Sequence, residues 1–185
     1  KILRGDLNAA QDQLEQAVAF AKKGKHEWYE TQAPRNLARC LLAQGKVEEA
    51  TDMARMTIEL SEQIGDKHHG NMAGLVLAES YLMNGEAAGC ENYLKVIEEN
   101  DPTSDFFVLG HIQRIRGLAA VEAGDSELAV HHFNRSLTIF ETAAGLYHTG
   151  LAHFLIGSNL TPNLRARAIR HLNSAKDIFH KLGVT

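Results

Sequence analysis

A glycine that recurs at a nearly constant interval constrains this chain more than any other feature. Gly5-Asp6-Leu7, Gly45-Lys46-Val47, Gly85-Glu86-Ala87 and Gly124-Asp125-Ser126 each close one helical pattern and open another, at spacings of 40, 40 and 39 residues. Five positions after each glycine stands a small residue, Ala10, Ala50, Cys90 and Ala129, and Ala168 matches in a fifth unit in which Asn163 replaces the glycine. Nine positions on come Leu14, Ala54, Leu94, Phe133 and Leu172; twelve on come Ala17, Thr57, Ile97, Ser136 and Ala175. Steps of five, four and three residues place these on one helical face. Small residues there predict a second helix packed close, because a bulky side chain would overpack such a contact by roughly 1–3 kcal/mol.

Complementary segments over 27–43, 67–83, 105–122 and 146–159 carry their own apolar stripes: Leu37, Leu41 and Leu42 in the first, and Leu75, Leu77, Tyr81 and Leu82 in the second. Gly24, Gly65, Gly145 and Gly183 read as left-handed helix caps, and Asn100-Asp101-Pro102 as a proline stop. The expected organisation is one array over 1–185, with units at about 1–24 (partial), 25–65, 66–104, 105–145 and 146–185. The first unit holds only the last turn of its leading helix. A chain rich in Ala, Leu, Glu and Gln with three Pro fits all-α structure, in which antiparallel helix pairs bury their faces against neighbouring pairs.

The repeat resembles the tetratricopeptide family. Leu77-Ala78, Arg116-Gly117 and Ile156-Gly157 fall on its Leu-Gly pair, Tyr81 on its first-helix tyrosine, Gly45, Gly85 and Gly124 on the interhelix turn, and Pro102 on its terminal proline. The family's tryptophan is replaced by Pro34, Gly74, Gln113 and His153, and the period of about 40 exceeds the usual ~34. The longer unit is similar to those of bacterial regulators of the maltose-activator type, peptide-sensing phosphatase-like regulators, and kinesin light chain and mitotic-spindle adaptors. The resemblance implies an all-α, right-handed α-solenoid that serves as a protein-interaction or sensory module within a larger regulatory protein.

The formal net charge of −4 offers no basic field for nucleic acid. It divides into +4 on the last helix, about 163–182, where Arg165, Arg167, Arg170, Lys176 and Lys181 stand against Asp177, and −8 elsewhere. Thr161-Pro162 reads as the cap and first-turn proline of that helix. Cys40 and Cys90 lie 50 residues apart without metal or disulfide spacing, which suits a reducing, cytoplasmic compartment. No apolar run reaches the ~18 residues of a membrane span, and Lys1 to Asp6 do not resemble a signal peptide.

Chemistry is sparse. The close histidine pairs, His68 with His69, His131 with His132 and His148 with His153, lack the three- or four-residue step of two metal ligands on one helix face. Exposed or packed histidines are the ordinary reading of these, with pH sensing around His131, His132 and His148 the alternative. Gly70, Gly74 and Gly85 to Gly89 match no phosphate loop, no nucleophile elbow occurs, and Glu48-Glu49 and Glu98-Glu99 read as solvated faces. The expectation is no enzyme, no cofactor and no metal.

What remains is a binding surface. In the family's geometry the leading helices line a concave groove, which implies that Gln32, Arg35, Arg39, Met72, Leu75, Glu79, His111, Arg114, Leu118, Leu151 and Phe154 face a partner. Arg35 and Arg39 are i and i+4, and guanidinium groups grip carboxylates bidentately. The expected partner is a protein or peptide with acidic and apolar anchors; the competing reading pairs these arginines with acidic helix faces. Arg35-Asn36 followed by Leu75-Val76 does not reproduce the two-carboxylate clamp of the family's chaperone-binding members. Two other readings stand beside it: homo-oligomerisation through terminal helices, favoured by the apolar stripe of Leu164, Ile169, Leu172, Ile178, Phe179 and Leu182, and small-molecule sensing.

Overall fold

The computed structural model describes residues 6–24, 27–100 and 105–184 and is all-α over them. Among these residues the helices are α1 (Leu7–Gly24), α2 (Glu27–Ala43), α3 (Val47–Ile64), α4 (Lys67–Met83), α5 (Ala87–Glu99), α6 (Phe106–Glu122), α7 (Ser126–Thr142), α8 (Leu146–Asn159) and α9 (Arg165–Lys181). The chain forms two compact units, Lys1–Pro102 and Thr103–Thr185. Within the first, each of α1 to α5 packs on the next; within the second, α6 to α9 do the same. This is the helix-pair repeat that the glycine period implies. The leading-helix turn before Asp6, and the Asp101-Pro102 stop, lie outside the described residues.

Three turns share one design. Gly45, Gly85 and Gly124 take φ of 76°, 78° and 75°, a left-handed conformation that disfavours a Cβ. Their N–H groups donate to Leu42, Leu82 and Val121 carbonyls at 2.9 Å, and the next N–H in each case reaches back to Leu41, Tyr81 and Ala120 at 3.0, 2.9 and 2.9 Å. These bonds satisfy carbonyls that a helix end leaves open. Helices α4, α6 and α7 are capped by acids: Asp66, Asp105 and Asp125 accept from the N–H groups of His69, Val108 and Leu128 at 3.1, 3.1 and 2.9 Å.

Gly65 and Gly183 also take positive φ, as expected of caps. Gly145 does not. Helix α7 runs to Thr142, so the left-handed position falls one residue earlier, on Ala144 at φ 53°, and Gly145 closes the turn by donating to the Phe140 carbonyl at 2.8 Å. Thr161 likewise departs from expectation. Its hydroxyl bonds to the Asn163 side chain and not to a helix N–H, Pro162–Leu164 form a 3-10 turn, and α9 begins at Arg165.

The small-residue face is largely interior. Ala50, Ala54 and Thr57 of α3, Cys90, Leu94 and Ile97 of α5, and Ala129, Phe133 and Ser136 of α7 are all buried. Two places differ. On α1 the buried face continues from Ala10 and Leu14 through Val18 to Ala21, the steps of a 3.6-residue helix, which leaves Ala17 in solvent. On α9 Ala175 is buried while Ile169 and Leu172 are exposed, as are Leu164 and Leu182 at its two ends. Leu37, Leu41, Ala54, Val76 and Leu77 centre the core of the first unit; Phe133, Leu137, Ala152 and Ile156 centre that of the second.

Candidate functional site

Helix α2 positions the cationic side of the first unit. Its apolar face, Leu37, Ala38 and Leu41, is committed to the core, so Gln32, Arg35 and Arg39 lie at partly exposed positions on the rest of the helix. Arg35 donates from Nη2 to the Asn36 side-chain oxygen at 3.0 Å. Its Nε is buried without a hydrogen-bond partner among the described residues. Burial, and then the like charge of Arg39, lower the Arg35 guanidinium to about 10, against the opposing pull of Asp66. A guanidinium is thus held partly dehydrated beside a second one, and an additional anion would relieve that cost.

Asp66 is occupied elsewhere. One carboxylate oxygen accepts from Thr31 Oγ1 of α2 at 2.8 Å, and the group also meets the ring and backbone N–H of His69 at 2.9 and 3.1 Å. Burial pushes this carboxyl up, but the bonds from His69 and Thr31 outweigh it and leave its pKa lowered. Burial lowers His69 in turn, with Asp66 opposing. The network ties α2 to the start of α4 and holds a negative charge within the field of Arg35.

The other residues expected to face a partner separate by burial. Met72 and Leu75 on α4 are 6% and 4% exposed, and His111 on α6 is 4% exposed. Side chains buried to that degree stabilise the fold and offer a partner little surface. Glu79 is partly exposed. In the second unit Arg114 donates from Nε to His111 Nδ1 at 3.4 Å. Leu118 packs partly against the core, Leu151 is partly exposed, and Phe154 is exposed at 48%. The positions left accessible are therefore Gln32, Arg35, Arg39 and Glu79 in the first unit, which are polar, and Arg114, Leu118, Leu151 and Phe154 in the second, which are mainly apolar.

Histidines that sequence spacing separates are brought together in the second unit. His153 of α8 and His171 of α9 place their Nδ1 atoms 2.9 Å apart, a bond that requires one to donate and the other to accept. Burial lowers both; Glu141 opposes this at His153, while His153, Arg167 and Arg170 add to it at His171. His148 stacks on Phe140 at 4.8 Å and meets His111 edge-on at 4.6 Å. Partners 18 and 37 residues apart were invisible to a search along one helix face, although the return of a helix pair supplies the signal. No group of three His, Cys, Asp or Glu able to hold a metal occurs among the described residues. No described helix is long and apolar enough to cross a membrane.

No family model matches the sequence, and no curated protein matches it closely. Solved structures do. BtubC (BKLC) from P. vanneervenii superposes with a TM-score of 0.62 at 15% identity, over 98% of this chain and 76% of that one. A variant of a putative kinesin light chain of nearly identical TPR-like repeats from Podosopora anserina gives 0.50 at 19% identity, over 98% and 90%. At these identities the likeness shows the fold alone, a tetratricopeptide-like array of helix pairs.

Proposed function

We propose that this chain is a protein-interaction module that uses Arg35 and Arg39 of α2 to hold carboxylates of a peptide or protein segment. The observation that carries the reading is Arg35, whose buried Nε has no hydrogen-bond partner among the described residues and whose cation is destabilised by burial beside Arg39. The chemistry is recognition by a preformed surface, not catalysis. Charge-assisted bonds to a carboxylate contribute about 1.5–3 kcal/mol each, enough for a tenfold or larger effect per anchor.

Fluorescence anisotropy with labelled peptides alternating Glu or Asp with Leu or Phe tests this, with the Gln and Asn versions as controls. The acidic peptides bind at least tenfold more tightly, the difference shrinks with salt, and Arg35→Glu with Arg39→Glu abolishes it. Equal affinity for the neutral peptides, or for the doubly reversed protein, overturns the reading.

A second reading, self-association through α9, rests on the exposure of Ile169 and Leu172 on that helix and of Leu164 and Leu182 at its ends. Sedimentation across concentration decides it: a monomer at high concentration removes it.

A further inference from the structure

The histidine pair of the second unit belongs to a contact that the repeat makes twice there. Gln113 of α6 and His153 of α8 share one register: each stands three residues after a glycine, Gly110 or Gly150, and four before another, Gly117 or Gly157. His132 of α7 and His171 of α9 share another, eight residues after the turn positions Gly124 and Asn163. In both helix pairs the two registers meet. His132 Nδ1 lies 2.9 Å from Gln113 Oε1, and His171 Nδ1 lies 2.9 Å from His153 Nδ1. The first contact joins an amide to an imidazole, whereas the second sets two imidazole nitrogens against each other, and an unprotonated imidazole nitrogen is a metal ligand.

Close helix packing fixes the second pair. A Cβ on Gly150 would lie 2.9 Å from Ile178 Cγ2 and Phe179 Cε1, and one on Gly157 would lie 2.7 Å from Leu172 Cγ and 3.0 Å from the Ala168 carbonyl oxygen. Helices α8 and α9 therefore touch on both sides of His153, and the two rings are held by helices and not by a loop. Both histidines are partly exposed, so an ion can reach them. At metal–nitrogen distances of about 2.0–2.1 Å, nitrogens 2.9 Å apart subtend an angle of about 90° at the ion. A tetrahedral ion needs them about 3.3 Å apart. Right angles between neighbouring ligands belong to the square-planar and tetragonal sites of Cu(II) and Ni(II), and both metals take imidazole.

We propose that His153 and His171 form a two-nitrogen site for Cu(II) or Ni(II), with water in the remaining positions. The ion takes the place of the proton that the two nitrogens share, and that proton moves to Nε2 of the ring that donated it, so that each Nδ1 offers a lone pair. The surrounding charge moderates the affinity. Glu141 acts on His153, but Arg167 and Arg170 act on His171, so two cations against one anion oppose an incoming dication.

The probes are Cu(II), Ni(II) and Zn(II), added singly to chelator-treated protein and read by calorimetric titration, by Tm and, for Cu(II), by paramagnetic broadening of backbone amides. Cu(II) broadens the amides around His153 and His171 before any others and raises Tm, as selective binding to the native state requires. Ni(II) binds the same site less tightly, and Zn(II) no more tightly than Ni(II). His153→Gln is the sharpest variant, because it reproduces the Gln113 and His132 contact that the unit already contains. It leaves the Tm of the metal-free protein nearly unchanged and weakens the Cu(II) site at least ~10-fold, as does His171→Gln. Arg167→Gln with Arg170→Gln tightens the site. Unchanged Cu(II) affinity in His153→Gln or His171→Gln, broadening centred on other histidines, or Zn(II) binding more tightly than Ni(II) each overturn the proposal.

Discussion

Helices α4 and α6 are the same element of the repeat, and both carry glycines on the face that meets a trailing helix, but they use them in opposite ways. On α6 a Cβ at Gly117 would overlap the Phe133 ring, and one at Gly110 would lie 2.6 Å from Phe140, so each glycine is a hole with a ring seated in it. On α4 the nearest atoms to a Cβ at Gly74 are Tyr93 Cε1 at 3.0 Å and Ile97 Cδ1 at 3.2 Å, and Gly70 meets only Ser61. The residue at Phe133's register in α3 is Ala54. The lesson is that a glycine in a repeat has no fixed energetic value: it is worth what the facing helix puts into it.

The largest expected effect that tests this is Phe133→Ala. A fully buried ring is removed from over Gly117, and loss of about 3–5 kcal/mol in denaturant unfolding is expected; a loss under about 1 kcal/mol would mean that the second unit is not held by this contact. Gly117→Ala comes next, at about 1–3 kcal/mol through overpacking. Combined with Phe133→Leu it should cost less than the sum of the two, because the smaller side chain makes room for the new methyl group.

Gly70→Ala and Gly74→Ala in the first unit are expected near neutral. The few tenths of an ångström of crowding are offset by the ~1 kcal/mol that alanine gains over glycine in a helix. If Gly74→Ala were as damaging as Gly117→Ala, the contrast between the units would be wrong. Ser61→Ala should stabilise by up to about 1 kcal/mol, since it removes a buried hydroxyl that lacks a partner among the described residues.

The smallest effect is a dependence on pH that separates the units by their histidines. His153 and His171 are both lowered, chiefly by burial. In the unfolded chain each takes up a proton near 6.5, in the folded chain only below that. The unfolded state therefore binds more protons as pH falls from about 6.5, and stability present above that value declines below it. Protonating both rings also breaks their mutual bond, since neither nitrogen can then accept, and it sets two cations beside Arg167 and Arg170, with Glu141 the opposing charge. His69 is lowered too, but Asp66 opposes the shift, so the first unit loses less in acid. Tm measured from about pH 8 to 5 should fall, and His171→Gln should flatten that fall more than His69→Gln does. An unchanged slope in His171→Gln would remove the histidine pair from the acid limb.

Much of the architecture was legible because it rests on local rules. The turns at Gly45, Gly85 and Gly124 are written into single residues by the cost of a Cβ at positive φ. The buried face at Ala50, Ala54 and Thr57 is written into helical spacing. The cap expected at Gly145 shows the limit of such rules, since α7 already ends at Thr142 and the turn that follows puts the left-handed position on Ala144. The candidate site was legible only as a set of positions. The family resemblance placed Met72, Leu75 and Arg35 in one class, whereas the structure buries the first two and leaves Arg35 partly exposed.

The sequence by itself thus determined that this chain folds into helix pairs and where each pair turns, because helix periodicity and glycine conformation depend on neighbours a few residues away. Only the tertiary structure decided which glycine receives a ring, that His153 meets His171, that Arg35 is desolvated beside Arg39, and that the Ser61 hydroxyl is buried without a hydrogen-bond partner among the described residues. Those outcomes depend on distances between helices and on the side chains that face each other across them, which spacing along one helix does not contain.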